Sequence, residues 1–287
     1  MIKLDVFIFI KSMIFAFTTM LLFGCYDRTN TVVSDVNSPS EFTYNFNNFQ
    51  APNDFMEIGE PEMVFVVGGK FTMGCTPEQG DCGSYAPIRE AVVNDFYIDK
   101  YVVTQKLWRE IMVGTELEAP SRFNGDDLPV EHVSWNDIVN EFIPKLNALT
   151  SKEYRLPTEA EWEFAARGGN ESRGYKYSGS DDIDEIAWYL NNSNDKTQPV
   201  GTKATNELGI YDMNGNVWEW VSDLMWNNNR VVRGGAYLRP SDENIISSRT
   251  SVHQDTGYHV VGFRLALSPT PNSIKERPRE IPERFNQ

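Results

Sequence analysis

The chain has 287 residues, 40% of them hydrophobic and 13% aromatic, with a formal net charge of −15 at pH 7. That length holds one large domain or two small ones, and the composition is that of a folded soluble protein. The acidity, offset by no basic run, excludes nucleic-acid backbones and anionic headgroups as partners.

Residues 1–24 set Lys3 and Lys11 among apolar stretches, continue through the apolar residues 14–23 and lead to Gly24-Cys25. A positive start, a short apolar core and a small residue at the end describe an export signal. Leu22-Phe23-Gly24-Cys25 resembles a bacterial lipobox, in which Cys25 is acylated and anchors the chain in the lipid bilayer. Phe23 departs from the small residue usual at its position. The alternative is an uncleaved anchor helix over residues 6–23, with Cys25 an ordinary thiol. Both readings tether the chain to the bacterial cell envelope, at the outer membrane or cell surface. Residues 25–55 are rich in Asn, Ser, Thr and Pro and read as a disordered spacer. Residues 268–287 read as a loose tail, which leaves one domain over residues 56–267.

Within the domain, Met63-Val64-Phe65-Val66-Val67, the pair Gly68-Gly69 and Lys70-Phe71-Thr72-Met73 predict a hairpin. A further strand is expected around Phe96-Tyr97-Ile98. Thr104 caps a short helix with Leu107, Trp108 and Ile111 on one face. Ser134, with Asp137 three residues on, opens a longer helix that Pro144 should kink; Trp135, Ile138, Val139, Phe142 and Leu146 recur at helical spacing. Thr158 with Glu161 starts a third helix, turning Trp162 and Ala165 inward until Gly168-Gly169 stops it. Beyond Gly169 the periodicity fades into long loops, where binding sites tend to lie, broken by short apolar runs such as Val231-Val232. Cys75 and Cys82 are expected to form a disulfide in an exported protein; a metal or redox pair is the alternative.

The motifs have a recognisable order. Gly68-Gly69-Lys70-Phe71-Thr72-Met73-Gly74, Phe96-Tyr97-Ile98-Asp99-Lys100-Tyr101 and Pro129-Val130-Glu131-His132-Val133-Ser134-Trp135 come first. Tyr154-Arg155-Leu156-Pro157-Thr158-Glu159-Ala160-Glu161-Trp162-Glu163-Phe164, Gly215-Asn216-Val217-Trp218-Glu219-Trp220, Arg233-Gly234-Gly235 and Gly262-Phe263-Arg264-Leu265 follow. Together they resemble the sulfatase-modifying-factor, or formylglycine-generating-enzyme, family over nearly the whole domain. The resemblance implies an α+β, C-type lectin fold with short twisted strands, two or three helices and much irregular structure.

Enzymes of that family oxidise a substrate cysteine with two copper-binding cysteines, four and nine residues after the second glycine of Arg-Gly-Gly. Here those positions hold Arg239 and Asn244, and neither supplies a thiolate. The resemblance therefore implies a domain without catalytic copper and without that oxidase activity. The stretch from Asp212 to Glu219 matches one where family members hold structural calcium. Carry-over assigns the carboxylates of Asp212 and Glu219 and the carbonyls of Gly215 and Val217 as ligands, oxygen donors of the kind calcium takes. The alternative is a tight turn in which Asp212 caps backbone amides.

Between the fixed motifs of the C-terminal third lies a mixed set: Trp226, Asn227, Asn228, Asn229, Ala236, Tyr237, Leu238, Arg239, Ser241, Asp242, His253, Asp255, Tyr258 and His259. Lectin-fold proteins diversified by retroelements vary this stretch by mutating adenines in Asn codons. Ala, Tyr, Leu, Arg, Ser, Asp and His are all reachable that way, and the Asn run looks like unmutated template. The lipobox and domain together resemble the Treponema variable-protein group. The set is the candidate ligand-binding face, and its Tyr, Trp and Arg are residue types that anchor protein interfaces. An ordinary loop surface is the bland alternative, and a His253–His259 metal pair a remote one, since Asp255 is the one carboxylate nearby. The expected function is a surface-displayed lipoprotein binding a protein or other surface ligand. A structural lipoprotein of an envelope secretion or motility complex is the alternative, followed by a family enzyme with altered chemistry.

Overall fold

The computed structural model describes residues 59–80, 82 and 86–269. The expected signal segment, Cys25, the spacer and the tail beyond Pro269 lie outside the described residues. The chain divides into two units, Met1–Phe55 and Met56–Gln287, and the fold below is that of the second.

Three small sheets carry it. The strands are β1 (Met63–Val66), β2 (Gly69–Met73), β3 (Arg89–Val93), β4 (Phe96–Asp99), β5 (Tyr154–Arg155), β6 (Trp218–Trp226), β7 (Asn229–Arg233), β8 (Arg249–His253), β9 (Val261–Phe263) and β10 (Ala266–Leu267). They assemble in the orders β1-β4-β10-β5, β2-β3 and β8-β7-β6-β9. The expected hairpin of the first two strands is not formed. β1 pairs with β4 and β2 with β3, all antiparallel, so Gly68-Gly69 turns the chain from one sheet into another. The Gly68 N–H donates to Asp95 at 2.8 Å, and a Cβ there would stand 2.4 Å from the Val93 carbonyl oxygen, so only glycine fits.

The helical starts follow from their capping chemistry. Thr104 accepts from the Leu107 N–H at the head of the Gln105–Met112 helix. Ser134 with Asp137, and Thr158 with Glu161, close reciprocal capping boxes. Pro144 produces no simple kink. The helix widens into a π turn at Ile138–Phe142, and Pro144 sits in the first turn of the Ile143–Thr150 segment. A π bulge of this kind takes up the backbone groups that an interior proline disturbs.

The β8-β7-β6-β9 sheet separates two cores. Trp220 and Val232 face a cluster with Trp108, Phe142 and Phe263, in which Trp108 stacks on Phe142 at 5.0 Å. Val221 and Val231 face the other, with Phe96, Trp162 and Phe164. Buried on both sides, β7 loses the alternation that marks a half-exposed strand.

The Glu159–Ala166 helix fastens the sheet. Its Glu159 and Glu163 both reach Arg233 on β7, which is fully buried, with nitrogen–oxygen distances of 3.2 and 2.5 Å. Arg233 also donates to the carbonyls of Ile246 and Ser247, and Glu163 accepts from the Gly74 N–H at 2.8 Å. Trp162, between the two glutamates, donates its indole N–H to Glu219 at 2.7 Å, and Glu219 is held on both oxygens by Arg264.

Asp99 and Asp212 lie buried within the field of Arg264, and burial drives both pKa values up, to about 7 and about 6. Arg264 opposes that rise, but its guanidinium is already committed to Glu219.

Two predictions follow from these buried charges. Replacing Arg233 by Met leaves Glu159 only Arg249 and the half-exposed Arg89 as cations, and Glu163 only Arg167, and is expected to cost about 3 kcal/mol in denaturant unfolding. Arg89→Met, at the half-exposed 3.7 Å contact with Glu159, should cost less than about 1 kcal/mol. The raised acids make stability pH-dependent. Their contribution is fully present below the unfolded value of 3.8 and is lost as pH rises through about 6 to 7. Asp99→Asn should therefore raise the thermal midpoint more at about pH 8 than at about pH 4.5. An equal shift at both would mean that Asp99 stays ionised throughout.

Candidate functional site

A cleft of about 560 Å³ opens beside Arg239. Cys82 and Ala86 line it from one segment, Arg239, Asp242 and Glu243 from a second, and Arg249 and Thr250 from the start of β8. Cys82 is disulfide-bonded to Cys75 with Cα atoms 5.9 Å apart. Trp218 also lines the cleft, and its buried indole N–H has no partner among the described residues.

The two positions at which the family's oxidases carry cysteine have diverged in different ways. Arg239 is about half exposed and stands 3.5 Å from Glu243. Asn244 is fully buried and donates to the carbonyls of Arg239 and Pro240 at 3.0 and 2.7 Å, closing the turn that presents Arg239. Gly235, at φ +80°, lets Asn244 pack so closely that a Cβ would stand 2.1 Å from its side-chain oxygen. The cleft thus offers charges of both signs and an unused N–H donor, with no nucleophile at either position.

The predicted face is not one surface. Arg239 and Asp242 line the cleft. Ala236 and Tyr237 are fully buried, a correction to their assignment as contact residues. After Gly235 the chain passes into the core, where Tyr237 bonds through its backbone to Asn216 and Ser193 and packs its ring edge-on against Phe123 at 6.1 Å. Leu238 and Ser241 are half-buried, and neither lines the cleft.

Trp226, Asn227, Asn228 and Asn229 form the end of the β6–β7 hairpin, with Trp226 exposed. Asn227 and Asn228 have φ of 41° and 65°, the left-handed pair that a two-residue hairpin turn requires, which gives those asparagines a backbone role. His253 pairs in register with Asn229, and Asp255 accepts from the Asn136 side chain. β8 joins the two ends, and its five residues put His253 roughly 13 Å from Arg249. Tyr258 is exposed and His259 half-buried, beside His132, whose N–H donates to the Tyr258 carbonyl at 3.0 Å. Trp218, Glu243, Arg249 and Thr250 were missed as lining residues. Their segments carry no period, and Glu243 falls outside the residues that mutated Asn codons reach.

The four assigned calcium ligands do not fit the ion. Both Glu219 oxygens are taken by Arg264, at 2.6 and 2.7 Å, and one also accepts from Trp162, so an internal guanidinium already supplies the positive charge. Asp212 accepts the Gly201 N–H at 2.7 Å, as an amide-capping carboxylate does. With Glu219 committed to Arg264, the set lacks the second free carboxylate that the assignment needs.

Residues 49–269 match the family model described as sulfatase-modifying factor enzyme 1-like domain. The chain is 34% identical over 236 residues to "Chaperone protein LppX" of Paenibacillus barcinonensis, covering 62% of this chain and 79% of that protein. It is 29% identical over 275 residues to "Inactive C-alpha-formylglycine-generating enzyme 2" of Mus musculus, covering 73% and 86%. The solved structure of Treponema denticola variable protein 1 superposes with a TM-score of 0.63 at 26% identity, over 72% of this chain and 95% of that one. The chain belongs to the sulfatase-modifying factor enzyme 1-like family, with that family's α+β fold of short strands and few helices.

Proposed function

We propose that this protein is a non-catalytic, lipid-anchored member of the family that binds a protein ligand at the cell envelope through the cleft beside Arg239. The observation that carries the reading is the fate of the two cysteine positions. One is a half-exposed arginine paired with Glu243, and the other a buried amide that braces the turn. Neither ligates copper or attacks a substrate thiol. The cleft itself remains, with Arg239, Asp242 and Glu243 offering paired charges and Trp218 an unsatisfied donor. Such groups suit recognition of a polar polypeptide surface, in which charged pairs set specificity and buried donors reward the correct acceptor.

Similarity to the Treponema variable protein and to LppX supports display on the envelope, with acylated Cys25 as the anchor. On this reading the exposed members of the C-terminal set, Arg239 and Asp242 foremost, are the ones open to diversification. Ala236 and Tyr237 belong to the frame.

The test places a photo-crosslinking amino acid at Thr250, in the cleft, or at Leu149, exposed on the Ile143–Thr150 helix, in the full chain displayed on intact cells. A discrete adduct is expected from Thr250 alone, and it should vanish when Arg239→Glu and Asp242→Lys are added. No adduct, or the same adducts from both positions, would overturn the reading.

A further inference from the structure

A second cluster, outside the cleft, gathers around Arg122. The N–H groups of Arg122 and Phe123 both donate to one oxygen of the buried Glu131, which pins their segment to the strand-like run ahead of His132. The turn carrying Tyr258 and His259 lies directly on that run. The His132 N–H bonds the Tyr258 carbonyl, and Gly257 packs so closely that a Cβ would stand 2.3 Å from the His132 oxygen. The Arg122 guanidinium lies 5.4 Å from the Phe123 ring centre, and Phe123 meets Tyr237 edge-on. Arg122 and His132 are exposed, and His259 is half-buried.

The cluster gathers basic groups in a chain of net charge −15. Eight of the eleven described arginines stand within ion-pair distance of a carboxylate, and among the described residues Arg173 and Arg230, like Arg122, do not. Glu131 meets the Arg122 segment through backbone N–H groups and forms no ion pair with its guanidinium. One Glu131 oxygen is spent on backbone amides, the other is buried without a partner, and burial pushes the acid up to about 7. The Tyr237 hydroxyl beneath is buried in the field of Arg122, Glu131 and the exposed Asp195. His259 is held below the usual imidazole value by burial and then by Arg122 and His132, which places the three basic groups in one another's field.

We propose that Arg122, His132 and His259 form an oxyanion-binding patch, which takes a carboxylate, sulfate or phosphate group between the guanidinium and the two imidazoles. A guanidinium presents two parallel N–H donors in the geometry that such groups match, and each imidazole adds an N–H donor even when neutral. The patch does not depend on the cleft reading, because none of the three residues lines the cleft.

The chain has three histidines, so the third, His253, serves as an internal control. Long-range proton–nitrogen NMR of the imidazoles in the full chain, in detergent micelles, would be followed while sodium sulfate, phosphate or acetate replaces chloride at constant ionic strength. The His132 and His259 signals should move saturably while His253 stays still. Arg122→Gln should weaken the response by about tenfold or more, with Arg122→Lys between the two. Saturation by acetate identifies a carboxylate as the natural group, and saturation by sulfate or phosphate an ester. Equal, unsaturable movement of all three imidazoles, or an unchanged response in Arg122→Gln, would overturn the proposal.

Discussion

A guanidinium buried between two carboxylates on one helix face holds this molecule in register. Arg233 is fully enclosed, and Glu159 and Glu163, one turn apart, both point at it. Isolated, each of these charges would be expensive to bury; together, with carbonyls of residues 246 and 247 on the remaining donors, they become a rigid joint. Other segments attach to the same two acids. Glu159 also takes Arg249 at the head of β8, and Glu163 takes the Gly74 N–H and Arg167. The segment carrying the disulfide loop and the strand lining the cleft are therefore fixed to one helix, so the cleft's shape is set by core electrostatics.

That joint explains how the family frame persists with Arg239 and Asn244 at the two cysteine positions. Arg233, Gly234 and Gly235 lead the chain into the turn at residues 239–244, and Asn244 braces the turn through its side-chain amide. Thiolates are not needed for that geometry. The Arg239 side chain is left exposed because its backbone carbonyl is what the frame uses. The second joint, Glu219 with Arg264 and Trp162, stands where the resemblance implied calcium and supplies its positive charge from the chain itself.

Much of the fold was legible, and the failures have physical causes. Thr104, Ser134 and Thr158 were read correctly as helix starts because capping is local chemistry between residues three apart. The expected first hairpin failed because two adjacent strands joined by glycines look alike whether they pair with each other or with different partners. Of strands β6 and β7 only the Val231-Val232 run of β7 was picked out, since burial on both faces erases alternation. Glu159 and Glu163 near the helix start resemble ordinary surface acids that favour the helix dipole. Only the Arg233 side chain arriving from the sheet shows that they are core. The same blindness to depth put Ala236 and Tyr237 on the expected binding face, while Arg239 and Asp242, which flank Pro240 and Ser241 in a turn, do line the cleft.

The central claim is that the oxidase frame survives with its thiolate chemistry replaced by a recognition surface. Anaerobic copper titration of the parent chain against the Arg239→Cys, Asn244→Cys double variant tests it most directly. The account predicts that the variant takes up one copper ion tightly, because soft thiolates held by the intact frame select it, while the parent takes up none. Equal copper uptake by the parent, or conversion of a cysteine-bearing peptide by it, would contradict the account.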